Sequence, residues 1–318
     1  MSIEIIIKEV QKIAGFIFST EESKKEDIMK SYRFVFMAAL TVFLALSLIG
    51  CSGSDTETGT LSLSVTDAPV DGAVSVVIEF TGVELVSSSG KVLSFNFDPP
   101  KTIDLLALQG GDSALLLDKI SVPEGDYPVI SLKVNAEPGV LDSYIELTDG
   151  TQVSLWIPSG NETGLNLLQG CSVAANELAD FTIDFDLRKS VFDPQVLDGD
   201  YILKPVLRIV DNAEAGSIAG TVDVALTTDT TCTSGNAVYI FEGLNVTPDD
   251  VGGAVEPVTT TLVTADNTYK AAFLEPGDYT VAFTCQAADD SPDTDDAIAF
   301  VGTVNVSVSI GVEVTHNF

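Results

Sequence analysis

From Val304 to Val314 every second residue is a branched aliphatic: Val304, Val306, Val308, Ile310, Val312 and Val314. Asn305, Ser307, Ser309 and Glu313 stand among the residues between them. A helix returns to one face only after about 3.6 residues, so a strict period of two commits this stretch to an extended strand with one packed and one wet face. The same alternation recurs in shorter runs from Thr60 onward, and no sustained amphipathic helix appears after Cys51. The chain is therefore expected to be all-β beyond that cysteine, folded as two β-sandwich-like domains.

Thr60–Thr66, Ala73–Phe80, Lys91–Phe97, Tyr127–Val134, Tyr144–Leu147, Gln152–Ile157, Phe181–Leu187 and Tyr201–Val210 read as strands of a first antiparallel block, separated by Gly, Pro and Asp. Pro205 marks an edge or bulge in the last of them. Leu105–Leu108 and Ala114–Leu117 are apolar without alternation, which leaves helix and strand both open. Residues 211–216 are the expected linker between a β-rich domain at 60–211 and a smaller sandwich at 216–318. Gly-Asp-Tyr opens a strand three times, at 125–127, 199–201 and 277–279. Gly supplies a positive φ and Asp bonds back to the turn, so a local turn accounts for the triplet without any repeat.

Upstream, Lys30 and Arg33 precede the 17 uncharged residues from Phe34 to Gly50, and the run ends Leu48-Ile49-Gly50-Cys51. A positive start, an apolar core and small residues before a cut make a secretory signal. The cysteine directly after Leu-Ile-Gly resembles the lipobox of bacterial lipoproteins. That resemblance implies a lipoprotein signal peptide at 29–50, a diacylglyceryl group on the Cys51 sulfur and cleavage before Cys51. Residues 51–59 are then the lipidated cysteine and a flexible tether. Ser52 after the cysteine implies, by the same resemblance, the outer membrane. Met29 begins a sufficient signal by itself, so residues 1–28 are expected to be a spurious upstream extension.

The chain carries 15 Lys+Arg against 47 Asp+Glu, a net charge of −32. Residues 1–51 hold six of each sign, so the remainder keeps the whole imbalance. Such a surface repels phosphate backbones, which excludes nucleic acid as a partner, and it attracts divalent cations. A single histidine, His316, removes most routes to acid–base and transition-metal chemistry. With Cys51 assigned to lipid, Cys232 and Cys285 are expected to form a disulfide in an oxidising compartment, leaving Cys171 as a buried thiol.

Several stretches together resemble the bacterial domain of unknown function 4382: 59–69 (GTLSLSVTDAP), 101–108 (KTIDLLAL), 157–160 (IPSG), 184–191 (DFDLRKSV) and 201–207 (YILKPVL). The resemblance spans about residues 59–211 and implies a secreted or lipid-anchored envelope domain with no catalytic residues to carry over. The tail, through 216–222 (GSIAGTV) and 273–281 (FLEPGDYTV), is similar to carboxypeptidase-regulatory or transthyretin-like sandwiches. That similarity implies a non-catalytic scaffold or adhesive unit.

Gly111-Asp112-Ser113 resembles the nucleophile block of a serine-esterase family, and Glu313 with His316 its acidic–x–x–His element. The two halves fall in different domains, and the alternating βα units of that family are absent, so a turn serine and a chain-end histidine are expected. Asp184 and Asp186 share one face of a strand with Asp180 before and Arg188 after. Paired carboxylates about 5–10 Å apart could hydrolyse a glycoside, but an alternating strand needs a polar side anyway, and a solvated face is expected. Trp156 could stack a sugar ring. Asp180, Asp184, Asp186, Arg188 and Trp156 are thus the candidate ligand face. Asp289, Asp290, Asp293, Asp295 and Asp296 are candidate calcium ligands, because calcium takes about six to eight oxygens, although the EF-hand spacing is missing. The function expected is non-enzymatic: a lipid-anchored cell-envelope protein that scaffolds, adheres, or binds a glycan or another envelope protein. The alternatives are a carboxylate-dependent glycan hydrolase and a calcium-dependent adhesin.

Overall fold

The computed structural model describes residues 57–68, 72–158, 164–192, 200–228 and 235–318. The upstream extension, the signal segment, Cys51 and Cys232 lie outside these residues. Residues from Thr56 to Phe318 make one compact unit. It is all-β, as the alternation predicts.

Thr58–Ala68 is central in a four-stranded sheet, with Leu178–Asp186 parallel on one side, Ala114–Pro123 antiparallel on the other, and Leu207–Asp211 at the far edge. A second sheet is organised on the 14-residue strand Ala73–Val86. Val92–Asp104 runs along one of its edges; Tyr144–Leu147 and then Val129–Asn135 share the other. Leu61, Leu63, Val65, Ile183 and Phe185 from the first sheet meet Ile78, Phe80, Val83 and Leu85 from the second in one core. Each such side chain contributes about 1.5–3 kcal/mol by leaving water.

The C-terminal block pairs Gly216–Thr221 with Thr268–Leu274 and Glu313–Thr315 in a three-stranded sheet. Ala237–Glu242, Thr259–Leu262, Gly277–Thr284 and Val301–Val308 make a four-stranded one. Ile218, Tyr269 and Leu274 pack across the sandwich on Val238, Ile240, Val281, Phe283 and Val306. The four-stranded sheet is covered on its other face as well, where Tyr239 and Phe241 pack with Val251 and Ala287.

Several runs divide differently from the expectation. The single strand read from Val304 to Val314 is two strands in two sheets, Val301–Val308 and Glu313–Thr315. Gly311 turns the chain at φ 66°, and Ile310 and Val312 are exposed; alternation persists through a turn that hydropathy cannot see. Tyr201–Val210 likewise splits into Tyr201–Leu203 and Leu207–Asp211 around Pro205, the halves joining different sheets. Leu105–Leu108 is a short 3-10 helix capped by the Asp104 carboxylate, and Ala114–Leu117 opens a strand. The linker expected at 211–216 is a bonded turn: the Ala215 N–H donates to the Asp211 carbonyl at 3.0 Å, and Asn212 reaches Asp180 through both backbone and side chain.

Candidate functional site

Alternation sets Ser62, Ser64, Thr66, Thr182 and Asp184 opposite the first block's core, on the face that the acidic row of Asp184 is expected to keep solvated. That expectation fails: all five are buried, as is Arg188. The C-terminal block covers the region, and three cations cross to it. Arg208 grips the Asp184 carboxylate through Nε at 2.8 Å and Nη2 at 2.6 Å, and its Nη1 donates to the Phe273 carbonyl at 2.7 Å. Arg188, 3% exposed, donates to the Tyr239 hydroxyl at 2.5 Å and the Ala287 carbonyl at 3.0 Å, with Asp290 3.8 Å away. Lys189 donates to the Pro257 carbonyl at 2.7 Å and pairs with Glu256 at 2.8 Å. The partner of Asp184 is therefore Arg208 rather than the neighbouring Arg188.

The remaining carboxylates of the row also have structural duties. Asp186 accepts from the Lys189 N–H to cap the one-turn helix Leu187–Ser190, and Asp180 holds Asn212. Trp156 is half-buried in the other sheet beside Ile202, so the structure does not bring it to the acidic row. Where the blocks meet, a cavity of about 20 Å³ is lined by Thr66, Asp67, Asp184, Thr260 and Lys270, enough space for one water. Both oxygens of Asp67 and the hydroxyl of Thr260 are buried there without a hydrogen-bond partner. Burial, and then the charges of Asp184 and Asp186, push the Asp67 carboxyl well above the usual carboxylate range; the nearby Leu187 N–H opposes this.

A groove of about 450 Å³ opens beside this cavity, lined by Gln109, Gly110, Ala219, Tyr269, Lys270 and Glu313. Glu313 pairs with Lys270 at 2.9 Å, while His316 packs edge-on against Phe318 with centroids 4.7 Å apart, and burial lowers its pKa. Neither Ser113 nor His316 lines the groove. Cys171 is a buried free thiol, as expected, and burial pushes its pKa up to about 12, which suppresses the nucleophilic thiolate. Cys285 is disulfide-bonded; its expected partner Cys232 lies outside the described residues.

The acidic run 289–296 is drawn into a cluster with a second loop that sequence reasoning missed. Asp249, Asp250 and Asp295 bring one carboxylate oxygen each within 4.8 Å of one another, and so do Asp250, Asp290 and Asp296. At that distance two like charges repel by roughly 3.5 kcal/mol at an effective dielectric of about 20. Asp289 and Asp293 belong to neither group. Asp250 is 1% exposed; its Oδ2 accepts from the Asp296 N–H at 2.5 Å, and its Oδ1 has no partner. Burial raises its pKa. Asp296 accepts from the Ser291 N–H and the Thr294 hydroxyl, and Asp249 from the Ala254 and Val255 N–H groups. A Cβ at position 253 would meet Asp250 Oδ1 at 2.4 Å and Asp249 Oδ2 at 2.9 Å; one at position 252 would meet the Pro292 and Thr294 carbonyl oxygens at 2.9 Å. Only glycines let these oxygens approach. The legible signal was Asp249-Asp250 standing two residues before Gly252-Gly253.

Comparison with known proteins is informative for the first block. Residues 58–205 match the family described as Domain of unknown function (DUF4382). The DUF4382 match thus takes in three of the four strands of the first sheet, with Asp67 and Asp184, and the one-turn helix that carries Arg188. No curated protein matches the chain. Among solved structures, the Bacillus anthracis TIE protein is similar at 12% identity and TM-score 0.21, over 82% of this chain and 34% of that one. A leucine-rich repeat protein from Bacteroides thetaiotaomicron VPI-5482 is similar at 11% and 0.19, over 82% and 26%. GBS52, the minor pilin of Streptococcus agalactiae, is similar at 10% and 0.19, over 81% and 94%. This chain spans about a third of the first and a quarter of the second. Likenesses at these scores support no functional transfer.

Proposed function

We propose that the protein is a non-catalytic scaffolding or binding module of the cell envelope, held to a membrane by lipid on Cys51, and that its ligand is a glycan or another envelope protein. The observation that carries this reading is the joint of buried Arg188 with half-buried Lys189 and Arg208, which links the two β-blocks as one body. The carboxylates that a glycan hydrolase would need are bound up in that joint and its caps. A single β-body whose first strand starts at Thr58, a few residues after Cys51, suits presentation of a surface to a partner from a membrane anchor. Fatty-acid labelling of producing cells tests the anchor: the protein takes up label and fractionates with membranes, and Cys51→Ser loses both. A screen of purified protein against glycans and envelope proteins tests the role. Glycan hydrolysis abolished by Asp184→Asn, with melting behaviour preserved, overturns it.

A further inference from the structure

We infer that the loops at 245–258 and 286–300 form a calcium site in which Asp250 is the shared ligand of two carboxylate groups, Asp249 and Asp295 on one side, Asp290 and Asp296 on the other. The site goes beyond the scaffolding role and stands or falls separately from it. Acidic clusters are common on a chain of net charge −32, so clustering alone carries no weight. The deciding observation is Asp250: at 1% exposure it holds a carboxylate oxygen out of water with nothing bonded to it, beside the Asp249 carboxylate. Unpaired buried charge is costly unless a cation neutralises it. Arg188 stands beside Asp290, and Lys189 is engaged by Glu256, which itself accepts from the Gly252 N–H.

The donor set selects the ion. Every candidate ligand is oxygen, with no thiolate or imidazole, which disfavours zinc and copper and suits hard cations. Five carboxylates converge, and the Pro292 and Thr294 carbonyls close over the adjacent Gly252. Such an all-protein, oxygen-rich cage matches the about six- to eight-fold, irregular coordination of calcium better than the octahedron of magnesium, which retains its waters.

Isothermal titration calorimetry and thermal melting of the chelator-treated protein, with calcium chloride or magnesium chloride as the only added cation, test the site. Calcium binds saturably with a Kd on the order of 10⁻⁴–10⁻³ M, the range of extracellular modules. At ten to a hundred times Kd it raises the folding constant about 10–100-fold, and magnesium does less. Asp250→Asn removes the response. Asp295→Asn, at an exposed position, weakens binding about tenfold or more, by loss of one ligand charge. Asp293→Asn, outside both groups, leaves binding unchanged. Absence of calorimetric heat and of any melting shift overturns the site, as does an Asp293→Asn loss equal to that of Asp295→Asn, which would mean diffuse counter-ion condensation.

Discussion

Asp67 holds its proton more tightly in the folded protein than in the unfolded chain. Its carboxyl is buried at the joint without a bonded partner, and Asp184 and Asp186 stand close enough to oppose a further charge. An acid whose folded pKa lies above its unfolded value binds more protons folded than unfolded, so stability declines as pH climbs from about 4, the unfolded value, through the folded pKa. Asp186, also raised chiefly by burial, adds to the same slope. Asp67→Asn should therefore melt near wild type at mildly acidic pH and above it at pH about 8, flattening the profile. Parallel melting profiles for the two proteins would refute a buried neutral Asp67. Nothing in TLSLSVTDAP marks this residue as buried: Asp67 follows a run whose polar side reads as solvent-facing, and only the arrival of the second block removes the water.

At the scale of elements, the Gly-Asp-Tyr triplets at 125–127 and 277–279 are anchors for strand starts. The Tyr127 hydroxyl donates to the Pro123 carbonyl at 2.6 Å and the Tyr279 hydroxyl to the Glu275 carbonyl at 2.8 Å, each four residues back and each with its ring buried. The geometry is that of the tyrosine corner of β-sandwiches. Burial lifts both phenols' pKa values, which keeps them donors. Tyr279→Phe should lower stability by about 1 kcal/mol, the net worth of one such bond with the ring packing retained, read as a shift in denaturant midpoint at unchanged slope; a midpoint equal to wild type would reduce the bond to decoration. The strands themselves were largely legible. Tyr144–Leu147 stands as the pattern reads, and Thr60–Thr66, Gln152–Ile157 and Phe181–Leu187 end within three residues of their strands. Ala73–Phe80 and Lys91–Phe97, in contrast, stop short of Val86 and Asp104, and Tyr127–Val134 is two strands. What alternation could not supply was partnership: Val301–Val308 and Glu313–Thr315 continue one hydropathy pattern yet serve opposite sheets, because a turn at Gly311 costs the pattern nothing.

For the molecule as a whole, the deciding residues are those whose partners lie farthest away in sequence. Arg188 meets Tyr239 and Ala287, Arg208 meets Phe273, and Asp250 meets Asp296; none of these pairings leaves a local trace, so by sequence the candidate ligand face reads as wet and the acidic run as a loop by itself. The joint has a measurable consequence. Tyr239 donates to the same Asp290 oxygen that faces Arg188, and the Val251 N–H donates to both oxygens of that carboxylate. Arg188→Met preserves the apolar stem but strips Asp290 of the cation beside it, and removing one partner of a buried pair costs about 3–5 kcal/mol. In chelator, the variant should unfold at markedly lower denaturant, with the C-terminal block separating as an earlier transition. Adding Asp290→Asn should recover part of the loss, since the stranded charge then disappears. A single transition at the wild-type midpoint would mean that the two blocks are held by apolar contact alone, and the joint would lose its claim to make one body of them.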